Sequence, residues 1–222
     1  MGIEGEQLSY IIGIAGAAGS GKNAVADILR DECGFVEVAL ADVMKRIAIT
    51  LWDWPKERLW GASNLRGIAD DRYTRPNGEP LTPRYALQLM GTQFGRTCEA
   101  DVWVRYTLDV AHKLSSSGIA RGVNYHYTPE DGLVCTSIPI AEKPKGVAIP
   151  DVRFANEIRA IRSSGGKVWR VVRNGSGLKG EAGQHESEQE LKTIDMDKFD
   201  VVIDNNGTLE ELRAKVLEQV KS

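Results

Sequence analysis

Residues 16–22 read Gly16-Ala17-Ala18-Gly19-Ser20-Gly21-Lys22 and match the pattern G-x-x-x-x-G-K. The apolar run 10–14 precedes them and predicts a buried strand, and Val25, Ile28 and Leu29 follow at helical spacing. A glycine loop between a strand and a helix turns its backbone N–H groups inward, and the helix adds the positive end of its dipole. The sequence therefore predicts a phosphate-binding loop on an α/β fold.

Seven residues of this loop are candidates for holding the phosphates of a nucleotide: Gly16, Gly19, Ser20, Gly21, Lys22, Asn23 and Ala24. Lys22 supplies a full positive charge near the β- and γ-phosphates. Asn23 stands where the motif usually has a Ser or Thr, so the hydroxyl ligand for magnesium is missing. The amide oxygen of Asn23 could replace it directly or through water, since Mg²⁺ keeps several waters. The same departure leaves room for a nucleotide-binding protein with little catalysis.

Strands and helices alternate along much of the chain. Apolar runs at 36–40, 146–149, 168–172 and 201–203 predict further strands, with helical patterns between them. This alternation predicts a P-loop NTPase-type parallel sheet of about five strands with helices on both faces, in a single domain 1–222. Three segments decorate it: a helical region at 52–115, a β-hairpin at 122–145, and a glycine-spaced, lid-like loop at 174–191.

The composition excludes several classes of partner. The chain has 222 residues, a formal net charge of −3 and a pI near 5.7, which argues against nucleic-acid and membrane-surface binding. No run approaches the ~18 apolar residues of a membrane span. The three cysteines are far apart and odd in number, which favours a reducing compartment. We therefore expect a cytoplasmic protein.

The segment 58–105 is locally basic. It contains five acidic residues and seven arginines, whose guanidinium groups can bind phosphate in a bidentate manner. As a group they favour a site for a second phosphate. Asp42 and Lys45 follow the second predicted strand and could meet the same substrate, although Asp42 could equally cap a helix. Trp103 could stack on a base, but its helical spacing favours a core position.

Asp151 and Arg153 follow another predicted strand. In open α/β sheets ligands bind at the carboxyl ends of the strands. Asp151 there could hold magnesium through water, and Arg153 could reach a transferring phosphate. The alternative is a helix cap at Asp151 beside a surface arginine.

Four stretches together resemble the deoxynucleoside monophosphate kinases of tailed bacteriophages. They are Gly16–Ala26 (GAAGSGKNAVA), Ala86–Trp103 (ALQLMGTQFGRTCEADVW), Pro150–Arg173 (PDVRFANEIRAIRSSGGKVWRVVR) and His185–Leu212. The first stretch is common to many P-loop proteins, whereas the second and third are more specific. The stretches lie in order across nearly the whole chain.

The resemblance implies transfer of the γ-phosphate of ATP to a deoxynucleoside 5′-monophosphate, with Mg²⁺. It implies Lys22 on the donor phosphates, and Asp151 and Arg153 at the reaction centre. Asn23 and Asp151 are the candidate metal ligands, and Asn23 with Ala24 departs from the polar pair that often follows the P-loop lysine in this family. It also suggests a homodimer, and the cytoplasm of an infected cell as its location. The candidate contacts to the acceptor are Asp42, Lys45, Arg66, Arg72, Arg75, Gln88, Arg96 and Trp103.

Two other functions remain open at this stage. One is a P-loop kinase of another small acceptor, of the dephospho-coenzyme A or phosphomevalonate type. The other is a non-catalytic module that binds ATP as a switch or structural ligand, which Asn23 favours.

Overall fold

The computed structural model describes residues 10–117, 119–128, 132–139, 143–177 and 186–221. The chain forms two compact units. The first consists of Met1–Ala39 and Val104–Ser222, and the second of Leu40–Trp103.

The described residues contain nine strands. In chain order they are β1 (Tyr10–Ala15), β2 (Phe35–Glu37), β3 (Asp70–Thr74), β4 (Pro80–Leu81), β5 (Ile119–Thr128), β6 (Gly132–Pro139), β7 (Gly146–Val152), β8 (Lys167–Val172) and β9 (Val201–Asp204).

The α-helices within the same residues are α1 (Lys22–Cys33), α2 (Asp42–Trp52), α3 (Lys56–Trp60), α4 (Pro83–Leu89), α5 (Gly95–Cys98), α6 (Val102–Ser117), α7 (Ala155–Ser163), α8 (Glu186–Thr193) and α9 (Leu209–Lys221). Two 3₁₀-helices (Ser63–Gly67 and Met196–Lys198) and a π-helical segment (Met90–Phe94) complete the set.

Five strands form the sheet of the first unit, in the order β2-β7-β1-β8-β9, and every neighbouring pair is parallel. The predicted α/β fold is confirmed. β1 lies in the middle of the sheet, where Ala15 pairs with Val152 of β7 and with Arg170 of β8. The carboxyl ends of these three strands therefore meet beside the glycine loop.

Helices cover both faces of the sheet. Successive residues of a strand point to opposite faces, so β1 contacts helices on both sides. Ile12 and Ile14 of β1 belong to a core cluster with Leu29 of α1 and Val216 of α9. Gly13 lies between them and faces α7, where a side chain would collide with Ile161. The glycine therefore lets α7 approach the centre of the sheet closely.

The second unit is more regular than its sequence indicates. Residues 52–81 read as irregular, yet they contain α3, the 3₁₀-helix Ser63–Gly67 and the antiparallel pair β3–β4. Its core includes Met44, Trp54 and Leu59.

The decorations differ in part from their predicted bounds. The hairpin is confirmed as the antiparallel pair β5–β6, which begins at Ile119. The predicted lid-like loop 174–191 is partly wrong, because α8 begins at Glu186. Residues 178–185 of that loop lie outside the described residues. Within the described part of the chain, no helix is long and apolar enough to cross a membrane.

Candidate functional site

The glycine loop after β1 is shaped as an anion cradle. Gly21 has φ +102°, and a side chain at this position would collide with the Nδ2 atom of Asn205. Only glycine takes up this conformation readily. α1 begins at the next residue, and the first N–H groups of any helix lack partners within it. The start of α1 therefore follows the glycine loop directly, at the carboxyl edge of the sheet, where the N-terminus of a helix favours an anion.

Lys22 lies over this loop and is only 9% exposed. Its Nζ atom donates to the carbonyl oxygens of Gly16, at 2.6 Å, and Ala17, at 2.8 Å. The ammonium group is therefore held within the loop by the loop's own carbonyls. An incoming phosphate would offer it a charged partner instead, and charge-assisted hydrogen bonds are stronger than neutral ones.

Ser20 and Asn205 support the cradle from inside. The Ser20 side chain is fully buried, and its Oγ atom has no hydrogen-bond partner among the described residues. Asn205 donates from Nδ2 to the Ser20 carbonyl oxygen at 2.8 Å, across 185 residues of sequence. Its own N–H bonds to the Val172 carbonyl of β8. Asn205 therefore ties the end of β9 to the glycine loop.

Two further bonds connect the loop after β8 to the glycine loop and to the turn after β9. The Gly177 N–H donates to the Ala18 carbonyl at 2.8 Å, and the Asn174 N–H donates to Oδ1 of Asn206 at 2.8 Å. Neither Asn205 nor Asn206 is among the site residues predicted from the sequence. The available signal was their position directly after a strand, at the edge where ligands bind in such sheets.

The carboxyl end of β7 lies next to the glycine loop. The sequence places Asp151 after a strand, but β7 continues to Val152, so Asp151 is a half-buried residue of the strand itself. Arg153 follows the strand and is also half-buried. It lies between the strand and the next helix, because α7 starts at Ala155.

Two carboxylates hold the start of α7. Glu157 is buried, and its Oε2 atom accepts from the N–H of Arg153 at 2.8 Å and from the N–H of Phe154 at 3.0 Å. The Oε1 atom of Glu190, on α8, accepts from the Ala155 N–H at 2.8 Å. Negative charge is favourable at a helix N-terminus. These bonds fix the backbone that carries Arg153, and sequence reasoning did not assign either glutamate.

Asp151 and Asn23 are the candidate magnesium ligands. Their oxygen atoms suit Mg²⁺, which takes one or two protein ligands and completes its shell with waters and phosphate oxygens. Asn23 is exposed in the first turn of α1, and Asp151 lies on the strand that pairs with β1. The described residues contain no cluster of three or more His, Cys, Asp or Glu side chains that could hold a metal alone. The donor set therefore fits a metal that arrives with a nucleotide.

In the second unit, Asp42 and Lys45 form one cluster with Trp60. The Lys45 Nζ atom lies 3.2 Å from Oδ1 of Asp42 and 5.1 Å from the centre of the Trp60 ring. The Trp60 Nε1 atom donates to the same carboxylate oxygen at 2.8 Å. Trp60 is still 40% exposed, so this cluster presents an aromatic surface beside two charges. The sequence indicated the two charged residues, whereas it did not single out Trp60 among the tryptophans that could stack on a base.

Arg72 contacts a buried carboxylate of its own unit. Its guanidinium binds both oxygens of Asp70, with distances of 2.9 to 3.3 Å, and the Trp54 Nε1 atom donates to Asp70 at 2.7 Å. The hydrogen bonds from Arg72, aided by that from Trp54, lower the pKa of Asp70, and Asp70 in turn raises the pKa of Arg72. Arg72 therefore binds a carboxylate of the protein itself, whereas the sequence predicts that it contacts the acceptor nucleotide.

The other predicted acceptor contacts have different surroundings. Arg75 pairs with Glu79 at 2.8 Å and stacks on the Tyr85 ring. Trp103 is buried against Gly95 and donates to the Gly91 carbonyl at 3.0 Å, which makes it a core residue rather than an open stacking surface.

Three predicted contacts remain accessible. Gln88 and Arg96 are half-buried on the helical segment 83–98. Arg66 is half-buried in the 3₁₀-helix, and its guanidinium donates to the Leu59 carbonyl at 2.9 Å.

Two sequence comparisons point to the same class of enzyme. Residues 136–216 match the family model of deoxynucleotide monophosphate kinase. The chain is 29% identical, over 207 residues, to a protein of Acanthamoeba polyphaga mimivirus described as a "putative deoxynucleotide monophosphate kinase". That alignment covers 93% of this chain and 94% of the relative. Both matches support a phosphotransferase of the kinase type. Neither bears on a bacteriophage origin, which stays a prediction.

Two solved structures match along almost the whole chain. One is TT1252 from Thermus thermophilus, at 20% identity and a TM-score of 0.45. The match covers 96% of this chain and 97% of that one. Dephospho-CoA kinase from Campylobacter jejuni matches at 11% identity and a TM-score of 0.44, over 95% of each chain. At these scores the fold assignment rests on the strand order and the glycine loop described above.

Proposed function

We propose that this protein transfers the γ-phosphate of ATP to a deoxynucleoside 5′-monophosphate, giving ADP and the deoxynucleoside diphosphate. The observation that carries the proposal is the glycine loop with Lys22 held inside it, at the carboxyl end of the central strand β1. The class of acceptor is taken from the matched family model and the viral relative, whose descriptions both specify a deoxynucleotide monophosphate kinase.

Two residues of the first unit, Lys22 and Arg153, act on the phosphates in this transfer. Lys22 exchanges its two carbonyl partners for the donor phosphates and neutralises the charge that develops between them. Arg153, whose backbone is fixed by Glu157, binds the transferring phosphate. The acceptor's own phosphate oxygen is the nucleophile, so no side-chain nucleophile is needed.

Asp151 and Asn23 would hold Mg²⁺ together with the phosphates. The metal, when bound, neutralises negative charge on the β- and γ-phosphate oxygens. Asn23 offers a neutral amide oxygen in place of a hydroxyl. We therefore expect Asp151 to contribute more to metal affinity than Asn23, because Mg²⁺ prefers charged oxygen ligands.

The second unit supplies the acceptor site. Asp42, Lys45 and the exposed indole of Trp60 form its polar and aromatic cluster, while Gln88 and Arg96 are further candidate contacts. An indole face suits a nucleobase because every base has a π-face for stacking. We expect Trp103 to support the helical segment 83–98, which carries Gln88 and Arg96, through its contacts with Gly91 and Gly95.

The test is ADP release from Mg·ATP in the presence of single acceptors. The panel contains dAMP, dGMP, dCMP, dTMP, the ribonucleotides and dephospho-coenzyme A. Stimulation by deoxynucleoside monophosphates is the expected result. Stimulation by dephospho-coenzyme A alone would show that this compound is the acceptor and that a deoxynucleotide is not. ATP binding with no turnover would favour the nucleotide-binding module that Asn23 suggests.

Two further parts of the proposal concern the whole protein. We expect it to act in the cytoplasm as a homodimer. Sedimentation equilibrium of the purified chain measures the assembly directly, and a mass equal to one chain of 24.4 kDa would exclude the dimer.

A further inference from the structure

The short connection between β7 and α7 contains three consecutive N–H groups that carboxylates accept. β7 ends at Val152 and α7 begins at Ala155, so only two residues join the strand to the helix. Glu157 of α7 itself accepts from the N–H groups of these two residues, at 2.8 and 3.0 Å. The third N–H, of Ala155, lies at the first position of the helix, where the helix backbone offers no acceptor. Glu190 accepts it at 2.8 Å, so the start of α7 is held partly from outside the helix.

Glu190 belongs to α8 and is 35 residues from Ala155 in the chain. Its neighbour Leu191 is only 2% exposed, so an apolar side chain anchors α8 in the protein. Glu190 itself is half-buried, and its negative charge suits the positive end of the α7 dipole. The bond therefore joins α8 to α7 at the end of α7 where an acceptor is needed and negative charge is favourable.

The other end of α7 contacts the chain that follows α8. Arg162 lies in the last turn of α7, where its Nη2 atom is 3.2 Å from Oδ1 of Asp200 and its Nη1 atom donates to the Lys198 carbonyl at 3.3 Å. The Oδ2 atom of Asp200 accepts in turn from the Val168 N–H of β8, at 2.7 Å. The segment 186–200 therefore contacts both ends of α7.

Apolar packing and hydrogen bonds hold α7 in different ways. Ile158 and Ile161 are buried, and Ile161 packs against Gly13 in the middle of the sheet. Apolar contacts are not directional, so they hold the helix on the sheet without fixing the position of its first turn. Hydrogen bonds have preferred distances and angles and do fix that position. Because Arg153 lies two residues before Ala155, a shift of the first turn moves the backbone of Arg153.

We propose that Glu190 is a positioning residue for the phosphoryl transfer, because it holds the first turn of α7 from α8 and so places Arg153. The role of Arg153 rests on the proposed function above, whereas the contact between Glu190 and α7 can be tested in the protein without substrate. The ion pair between Arg162 and Asp200 lies at the far end of the same helix. It stabilises α7 but does not place Arg153, so it provides a matched control.

The first experiment measures steady-state kinetics with Mg·ATP and a deoxynucleoside monophosphate. Glu190→Ala should lower kcat about tenfold, because a displaced Arg153 stabilises the transferring phosphate less well. The KM values for both substrates should stay within about twofold of wild type, since the lost stabilisation belongs to the transition state. Glu190→Gln keeps an oxygen acceptor for the Ala155 N–H and should restore most of the kcat.

Arg162→Gln is the control in these measurements and should keep the kcat of wild type. A role of Glu190 in stability alone would not separate kcat from KM and would not distinguish the two ends of α7. Wild-type kcat in Glu190→Ala, or an equal fall of kcat in Glu190→Ala and Arg162→Gln, would overturn the proposal.

The second experiment measures hydrogen exchange of single amides by NMR in the protein without nucleotide. Glu190→Ala should accelerate exchange of the Ala155 amide about tenfold or more, because that amide loses its acceptor, whereas Arg162→Gln should leave it unchanged. The amides of β1, in the centre of the sheet, are the reference for overall stability. Unchanged exchange at Ala155 in Glu190→Ala, or an equal acceleration in β1, would also overturn the proposal.

The two experiments separate this proposal from the proposed function. Faster exchange confined to the start of α7, in a protein that shows no kinase activity with any acceptor, would retain the contact from Glu190 and reject the proposed function. An active kinase whose Glu190→Ala variant keeps the kcat of wild type would retain the function and reject the positioning role.

Discussion

At the scale of single residues, Lys22 is held by the loop that it is expected to serve. Its bonds to the Gly16 and Ala17 carbonyls keep the ammonium group in place before a nucleotide arrives. Ordering a long side chain in advance reduces the entropy lost on binding. The cost is that two hydrogen bonds must be exchanged when the phosphates bind.

Lys22→Met is expected to lower kcat/KM for ATP by at least about 100-fold, because the charge that stabilises the transferring phosphate is lost. The matched control is Lys113→Met, which removes an exposed lysine paired with Asp109 on α6. Both variants should give the circular dichroism spectrum of wild type. Wild-type turnover by Lys22→Met would reject the role of the glycine loop in catalysis.

Asn205 is the residue that we expect to control the shape of the loop. Asn205→Ala removes the buried donor to the Ser20 carbonyl and should weaken ATP binding by about tenfold while leaving the acceptor KM unchanged. Asn206→Ala is the comparison, since Asn206 bonds to Asn174 and Asp204 but not to Ser20. Fluorescence titration with an ATP analogue measures the nucleotide affinity of each variant, and steady-state kinetics measure the acceptor KM. Equal effects of the two variants would show that the Ser20 contact has no special weight.

At the scale of elements, the N-terminus of α7 joins structure to chemistry. The buried carboxylate of Glu157 accepts two N–H groups, one of them from Arg153. Glu157→Ala leaves both donors without this acceptor and should cost about 2 kcal/mol of stability, whereas Glu157→Gln should cost about 1 kcal/mol. Because the Arg153 backbone shifts, kcat should fall about tenfold in the alanine variant.

Urea denaturation and steady-state kinetics check this capping role. Glu210→Ala is a suitable control, since Glu210 is an exposed glutamate in the first turn of α9. A Glu157→Ala protein with the stability and kcat of the control would contradict it.

The Asp70 network makes a prediction about acid stability. The pKa of Asp70 is lowered in the folded protein by Arg72 and Trp54, so the unfolded chain takes up the proton first as the pH falls. The stabilisation is complete above the ordinary aspartate pKa of about 3.9 and is lost as the pH drops below it. Asp70→Asn should lower the melting temperature by about 5 °C or more near neutral pH, and the difference from wild type should shrink towards about pH 3.

The melting temperatures of Asp70→Asn and wild type across this pH range test the network. Asp71→Asn, at the exposed neighbouring position, is the control. A difference from wild type that stays constant down to about pH 3 would exclude a role for the charge of Asp70.

Periodicity and glycine placement predict the elements of the first unit well. β1 and α1 follow from local signals. The start of α9 does so too, since Thr208 and Glu211 have the spacing of a capping box and form both of its bonds. The second unit is predicted poorly because long-range contacts form it. Trp54 and Asp70 are sixteen residues apart, and nothing local indicates that they pair.

The candidate site also combines a part that local sequence predicts with a part that depends on long-range contacts. A motif predicts the glycine loop, but Asn205 reaches Ser20 from 185 residues away and carries no motif of its own. The sequence also gives seven arginines without saying which are neutralised. Only the positions of Asp70 and Glu79 separate Arg72 and Arg75 from Arg66.

At the scale of the whole molecule, the two compact units suggest that each nucleotide stabilises the protein through its own set of residues. A ligand present at about 100 times its Kd adds about 2.7 kcal/mol of stability. For a chain of this size that corresponds to a rise in melting temperature of about 5–10 °C. Mg·ATP and a deoxynucleoside monophosphate should each produce such a rise in wild type.

The variants then assign each rise to one unit. Lys22→Met should lose the rise with Mg·ATP and keep the rise with the monophosphate, whereas Arg66→Gln should do the reverse. Differential scanning calorimetry with each ligand alone measures both, and Arg75→Gln should behave as wild type because Glu79 already balances its charge. Loss of both rises in either single variant would contradict separate sites, because it would mean that one set of residues binds both nucleotides.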